Sequence, residues 1–225
     1  IIGAGPAGMM AALTAARRGH EVTLFDEKDK LGGLLNVAVL PPHKQSFYRL
    51  MRYFSENLPR SGVALKLGRH VTAQDLADGG FDMIFVAVGS EPALPGFCRG
   101  KGVKTAQEIL LGATAGQKVL ILGGGLVGSE TAEFLAVQGK EVCLVELRDS
   151  LAADMEVRSR ALLLKRMADM NIRPLLSTEC LELSEGRVKV RNRWGAEYWL
   201  EGFDDIVVAL GYRSRMNLPA ELSLL

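Results

Sequence analysis

Two glycine runs carry the chemistry of this sequence: Gly3-Ala4-Gly5-Pro6-Ala7-Gly8 and Gly123-Gly124-Gly125-Leu126-Val127-Gly128. Between a strand and a helix, G-x-G-x-x-G has a mechanical meaning. Its first glycine permits a sharp turn, its second lets the backbone approach a pyrophosphate, and its third lets helix and strand pack closely. The phosphates then rest on free N–H groups at the positive end of a helix dipole. Each run is followed by an acid, Asp26 or Glu146, 23 positions after its first glycine. A carboxylate at that distance accepts hydrogen bonds from an adenosine ribose. Glu146 favours the free 2′-hydroxyl of NADH over the 2′-phosphate of NADPH, although Arg148, two residues on, is a group able to hold that phosphate. Gly32-Gly33 makes a further glycine turn just after Asp26, suited either to passing the backbone close to a cofactor or to a mobile loop.

Other chemistry is poorly represented. Cys98, Cys143 and Cys180 are far apart and form no C-x-x-C pair, so neither a zinc site nor a redox dithiol is expected. His20, His43 and His70 are read as structural or solvated, and no catalytic acid, base or nucleophile is expected. Trp194 and Trp199 suit packing or an interface. With 27 basic and 26 acidic residues the net charge is +1, which argues against nucleic acid and an anionic membrane surface and leaves small molecules or proteins as partners. No apolar run reaches membrane-spanning length and no leader is visible, so a cytoplasmic location is expected. Only Ile1 and Ile2 precede the first glycine and there is no initiator Met, so both ends are expected to be cut from something longer.

The elements that must hold these residues repeat. Offset by 120 positions, Ile2–Asp26 matches Leu122–Glu146 at nine of twenty-five positions. A second echo pairs Phe81–Gly89 with Phe203–Gly211, each a short apolar run ending in glycine. Strand, glycine turn, helix, strand, excursion, terminal strand is therefore expected twice, an α/β arrangement. Helices are predicted at 5–18, 43–57, 126–138 and 156–170. Strands are predicted at 21–25, near Ala64 and Val71, and at 81–89, 118–122, 141–146, 187–191, 197–200 and 203–211. Residues 91–95, with two prolines, read as a crossover linker.

The two glycine runs, His20-Glu21-Val22-Thr23-Leu24, Leu31-Gly32-Gly33, Ser129-Glu130 and Ala209-Leu210-Gly211-Tyr212-Arg213 together resemble the FAD/NAD(P)-dependent pyridine nucleotide-disulfide oxidoreductase superfamily. Within it the likeness is to the C-terminal half of NADH:flavin oxidoreductases of the 2,4-dienoyl-CoA reductase and trimethylamine dehydrogenase type. The resemblance implies two Rossmann-like three-layer units, with the NAD(P) unit inserted into the FAD unit. Residues 1–95 plus 212–225 would bind FAD, or ADP only, and residues 96–211 would bind NAD(P)H. Gly3, Gly5, Pro6, Ala7, Gly8, Asp26, Glu27, Gly32, Gly33, Val71, Ala87 and Gly89 would line the flavin nucleotide. Gly123, Gly125, Leu126, Val127, Gly128, Glu130, Glu146 and Gly211 would line the nicotinamide nucleotide. The implied activity is hydride transfer from NAD(P)H to FAD and on to an N-terminal FMN/iron-sulfur barrel of the same polypeptide. The alternative is a non-catalytic ADP-binding scaffold of an amine-dehydrogenase-like flavoprotein. The dithiol of the disulfide-reductase branch is missing, and no Gly-Asp motif follows Gly211 before Leu225.

Overall fold

The computed structural model of the chain describes residues 1–98 and 102–224. Its elements begin with α1 (Pro6–Arg17), β1 (Thr23–Phe25), α2 (Leu35–Ala38), α3 (Ser46–Arg60), β2 (Ala64–Lys66), α4 (Ala73–Ala77) and β3 (Ser90–Pro92). Next come β4 (Val103–Thr105), α5 (Ala106–Leu110), β5 (Lys118–Leu122), α6 (Leu126–Val137), β6 (Glu141–Val145), α7 (Val157–Asp169) and β7 (Arg173–Leu175). The chain closes with β8 (Thr178–Ser184), β9 (Arg187–Asn192), β10 (Glu197–Leu200), β11 (Asp205–Val208), β12 (Tyr212–Ser214) and α8 (Asn217–Leu222). Two compact units result, Ile1–Glu91 with Ser214–Leu225, and Pro92–Arg213. Among the described residues no helix is long and apolar enough to cross a membrane.

The second unit is built on a five-stranded parallel sheet in the order β4-β11-β5-β6-β7. β5 shows why that sheet is a middle layer: its apolar run is buried on both faces, the mark of a covered parallel strand. Val119 and Ile121 pack with Ala132 and Leu135 of α6 and Leu163 and Met167 of α7. Their neighbours Leu120 and Leu122 point the other way, to Val188, Val190 and Leu200 of the antiparallel sheet β10-β9-β8. The three layers are thus helices, parallel sheet and antiparallel sheet. Glu133 on α6, 1% exposed, is paired with Arg166 on α7 and ties the helix layer together. Asp205, at the start of β11, pairs with Lys104 of β4 and accepts the Gly116 N–H.

In the first unit β1 pairs with β2 in parallel, and Ile2 bridges Phe25 on one side and Val86 on the other. α1 and α3 cover one face through Met9, Leu13, Phe54 and Leu58, and Val71, Leu76, Leu218 and Leu222 gather with Ile2 and Phe25 in a separate cluster. Three expectations need correcting. Residues 81–89 do not form a ladder; among the described residues their strand-like pairing is the single bridge between Val86 and Ile2. Ile2 N–H donates to the Phe85 carbonyl (2.9 Å) and Ala87 N–H to the Ile2 carbonyl (2.7 Å), and the pairing stops there. Val71 lies in no strand; the chain enters α4 immediately, with Thr72 and Asp75 forming a reciprocal capping box. The helix expected at 43–57 begins at Ser46, since His43, after two prolines, takes a positive φ of 65° in a turn.

Candidate functional site

The two glycine turns are the same object built twice. Gly3 has φ 102°, and a Cβ there would fall 2.2 Å from the Ala87 carbonyl oxygen; Gly123 has φ 99°, with the Ala209 oxygen 2.5 Å away. At the third glycines the crowding is tighter, 1.8 Å from Gly8 to the Gly3 oxygen and 1.9 Å from Gly128 to the Gly123 oxygen. No side chain is tolerated at either joint. The middle glycines differ in kind: a Cβ on Gly5 would have nothing within 4 Å of it, and one on Gly125 would meet only the Asp154 carboxylate near that limit. Each caps the start of its helix without a side chain, so a Cβ would intrude only on what approaches from outside. This is a cradle for an anion on backbone N–H groups.

The acids predicted to read ribose also hold the turns. Asp26 Oδ2 accepts the Ala4 N–H (2.6 Å) and Oδ1 the Lys28 N–H (2.8 Å). Glu146 repeats this with the N–H groups of Gly124 (2.6 Å) and Arg148 (2.8 Å). An ionised carboxylate has about four acceptor positions, so each acid keeps room for ribose hydroxyls. The repeat continues one loop further on, where Gly32 N–H donates to the Ala4 carbonyl (2.9 Å) and Ala152 N–H to the Gly124 carbonyl (2.7 Å). Gly33 then packs so closely that its Cβ would lie 2.8 Å from Gly5 Cα. The Gly32-Gly33 turn is a close approach, not a free loop.

The other predicted residues of the first unit fall around this turn. Pro6 and Ala7 are exposed at the first turn of α1, and Val71 is buried. Gly89, φ 71°, accepts the Arg215 N–H at 3.0 Å. Glu27 receives a 2.8 Å hydrogen bond from Arg215 Nη1, which holds its carboxyl below the usual range; His70 Nδ1 lies 4.0 Å from the same carboxylate.

In the second unit the turn lies where the strand order reverses, at the carboxyl ends of β5 and β11, the usual ligand position of an open α/β sheet. Glu130, 8% exposed, sits one turn into α6. Val127, Ala209 and Gly211 line a shallow, open recess with Pro92, Ala106, Gln107, Val208 and Tyr212. Sequence reasoning missed two residues here. Gln107 presents to the interior a side-chain oxygen, Oε1, that makes no hydrogen bond. Asp154 Oδ1 accepts the Leu126 N–H at 3.0 Å, directly on the start of α6. No motif marks either residue, though the 120-residue offset aligns Asp154 with Leu34 and so exposes a difference between the copies.

The cysteines are buried or half-buried, and burial pushes the Cys98 and Cys180 thiols up to about 11 and about 12. Among the described residues no group of three or more His, Cys, Asp and Glu side chains is placed to hold a metal ion.

Comparison with known proteins places this geometry in context. A family profile described as "Pyridine nucleotide-disulphide oxidoreductase" matches residues 1–224. The chain is 34% identical over 221 residues to an NADH oxidase of Thermoanaerobacter brockii, covering 94% of the chain and 33% of that protein. It is 32% identical over 224 residues to a bilirubin reductase of Mediterraneibacter gnavus (strain CC55_001C), covering 96% and 34%. Among solved structures, a 2-naphthoyl-CoA reductase in complex with 2-naphthoyl-CoA superposes with a TM-score of 0.92 at 29% identity, covering 99% of this chain and 34% of that one. A histamine dehydrogenase from Rhizobium sp. 4-9 shares the fold, with a TM-score of 0.89 at 22% identity over 99% of this chain and 37% of that one. The chain spans about a third of the length of these relatives.

Proposed function

Since the chain belongs to the pyridine nucleotide-disulphide oxidoreductase family, we propose that it is the electron-input module of a larger NADH-dependent flavoprotein, with FAD in the first unit and NADH in the second. The observation that carries this reading is the duplicated staple. Two glycine turns, each bound to its own carboxylate at 2.6 Å, are two dinucleotide cradles with matched chemistry.

The fit to the nucleotides is residue by residue. In the first unit Gly3, Gly5 and Gly8 clear the backbone for a pyrophosphate, Ala7 and Gly8 N–H groups face it from the start of α1, and Asp26 takes the adenosine ribose. Gly32 and Gly33 bring a second stretch of backbone against Gly5, and Glu27, Val71, Ala87 and Gly89 complete the surround. In the second unit Gly123, Gly125 and Gly128 repeat the cradle, Leu126 and Val127 supply N–H groups, and Glu146 takes the ribose and disfavours a 2′-phosphate. Glu130 and Gly211 flank the nicotinamide end. The bound cofactors would supply the redox chemistry, hydride leaving the nicotinamide for the flavin. The protein binds, orients and excludes water, and needs no nucleophile or general base of its own. A partner FMN/iron-sulfur domain in the same polypeptide is the proposed electron acceptor, and the larger size of the structural neighbours supports it.

A scaffold that holds only ADP in the first unit is the competing reading. Against it stand the intact Gly123–Gly128 turn and Glu146, which a vestigial second site would not need to keep. The deciding measurement is the absorption spectrum of the full-length protein under anaerobic NADH titration. Extractable FAD whose 450 nm band bleaches with NADH supports the electron-input module. Extractable ADP, and no response to NADH, would replace it with the scaffold.

A further inference from the structure

The N-terminus of α6 is not left to solvent, and the group on it is an acid. Leu126, Val127 and Gly128 are the first helical positions, and the first hydrogen bond closing inside the helix is Ser129 N–H to the Gly125 carbonyl. These are the donors an anion needs. Asp154 takes the first of them, Leu126 N–H, at 3.0 Å, and its two carboxylate oxygens lie 3.8 and 4.0 Å from where a Gly125 Cβ would be. A pyrophosphate cradled by Gly125 must come to that same place. The loop bearing Asp154 is fixed beneath the turn, because Leu151 and Ala152 are buried and Ala152 N–H donates to the Gly124 carbonyl at 2.7 Å. Asp154 itself is exposed.

The first unit serves as an internal control. Its matching loop is anchored in the same way, Gly32 N–H to the Ala4 carbonyl, but Leu34 stands where the second unit has Asp154. Pro6 replaces Leu126, so the donor that Asp154 uses does not exist there. A carboxylate on the helix start is therefore particular to the second unit and not a requirement of the shared plan.

Resting on the assignment of the second unit to NADH, we propose that Asp154 competes with the dinucleotide pyrophosphate for the N-terminus of α6 and so sets how tightly that nucleotide is held. Binding displaces the carboxylate from Leu126 N–H and brings two phosphate charges beside it. Both effects weaken affinity in proportion to the ligand's diphosphate and neither touches the adenosine end. The residue acts on the nucleotide's charge, and its consequence is weaker binding.

The test compares wild type, Asp154→Asn and Asp154→Ala in the full-length protein by calorimetric titration with ADP-ribose and with adenosine. Asn keeps an acceptor for Leu126 N–H and loses the charge, so it separates repulsion from helix capping. The expected result is ADP-ribose bound about 5-fold tighter or better by Asp154→Asn, from the loss of exposed like-charge contacts with two phosphates, with adenosine unchanged. ADP-ribose bound equally or more weakly by both variants would overturn the proposal while leaving the nucleotide site standing. An equal gain for both ligands would overturn it too. Failure of every protein, wild type included, to bind either ligand would remove the assignment of the second unit and the proposal with it.

Discussion

Gly128→Ala isolates the joint on which the second cradle depends. The new Cβ would lie 1.9 Å from the Gly123 carbonyl oxygen, a backbone atom that cannot swing aside. Ordinary non-bonded contact is about 3.5 Å, so α6 must retreat by more than 1 Å at its first turn, where the N–H groups of residues 126–128 are aimed. Overpacking of this kind costs up to about 3 kcal/mol, and replacing glycine inside a helix returns about 1 kcal/mol. The expected net loss is about 2 kcal/mol of stability, with NADH binding weakened at least tenfold because the donors have moved. Urea unfolding gives the first number and NADH titration the second. Gly139→Ala is the control: its φ of 79° disfavours a side chain, yet nothing lies within 4 Å, so stability falls and NADH affinity holds. Gly8→Ala, with the Gly3 oxygen 1.8 Å away, is the twin, expected to lose the flavin nucleotide and keep NADH. A Gly128→Ala protein within about 0.5 kcal/mol of wild type and unchanged in NADH affinity would refute the close-packing argument.

Further outcomes follow from other contacts. Glu146→Ser removes the proposed repulsion of a 2′-phosphate together with the acceptor of the Gly124 and Arg148 N–H groups, so steady-state kinetics should show the ratio of KM for NADPH to KM for NADH falling about tenfold while KM for NADH rises. Asp205→Ala strands the Lys104 ammonium and the Gly116 N–H in a mostly buried setting, and chemical denaturation should register a loss of about 3–5 kcal/mol. Arg215 holds the Glu27 carboxyl below its ordinary value, so that pair stabilises the fold above about pH 4.3 and is lost as pH falls through the lowered folded value. Arg215→Ala should therefore move the acid-unfolding midpoint upward by a small amount, the pair being half exposed. Cys98 and Cys180, with thiols raised to about 11 and about 12, should resist iodoacetamide at pH 8 in the native protein and react once it is unfolded, read by mass spectrometry.

What the sequence revealed and what it hid divide along physical lines. Glycines at sterically closed joints leave a mark because no other residue fits, and the 120-residue offset that aligns them also aligns hydrogen bonds that periodicity never shows, such as Gly32 to Ala4 and Ala152 to Gly124. Strands flanked on both sides, like β5 and β6, were legible as apolar runs. Residues 81–89 have the same pattern, yet a strand is a property of its neighbours, and this segment pairs through a single bridge, Ile2 to Val86, and keeps Met83 84% exposed. Short helices such as α4 and α5 lack the length for a periodic signal; their Thr-x-x-Asp and Thr-x-x-Glu capping boxes were the available clue. Asp154 was invisible because it acts on Leu126, distant in sequence, and Gln107 because burial of an unpartnered side-chain oxygen leaves no mark in a motif. Asp26 and Glu146 stand out in the sequence as candidates for ribose; what the structure adds is that each holds its glycine turn through two backbone N–H groups.

On the proposed assignment of Glu146 to the ribose, its hold on the turn bears on how this protein could change its coenzyme. In a cradle where the acid read only the ribose, exchanging Glu146 for a small polar residue would be a self-contained step. Here the same exchange leaves the N–H groups of Gly124 and Arg148 without their acceptor. On that assignment, a change from NADH to NADPH calls for a second substitution that re-anchors the turn. Coenzyme preference is in this sense inherited together with the rigidity of the loop, and directed evolution toward NADPH should recover paired changes more readily than single ones.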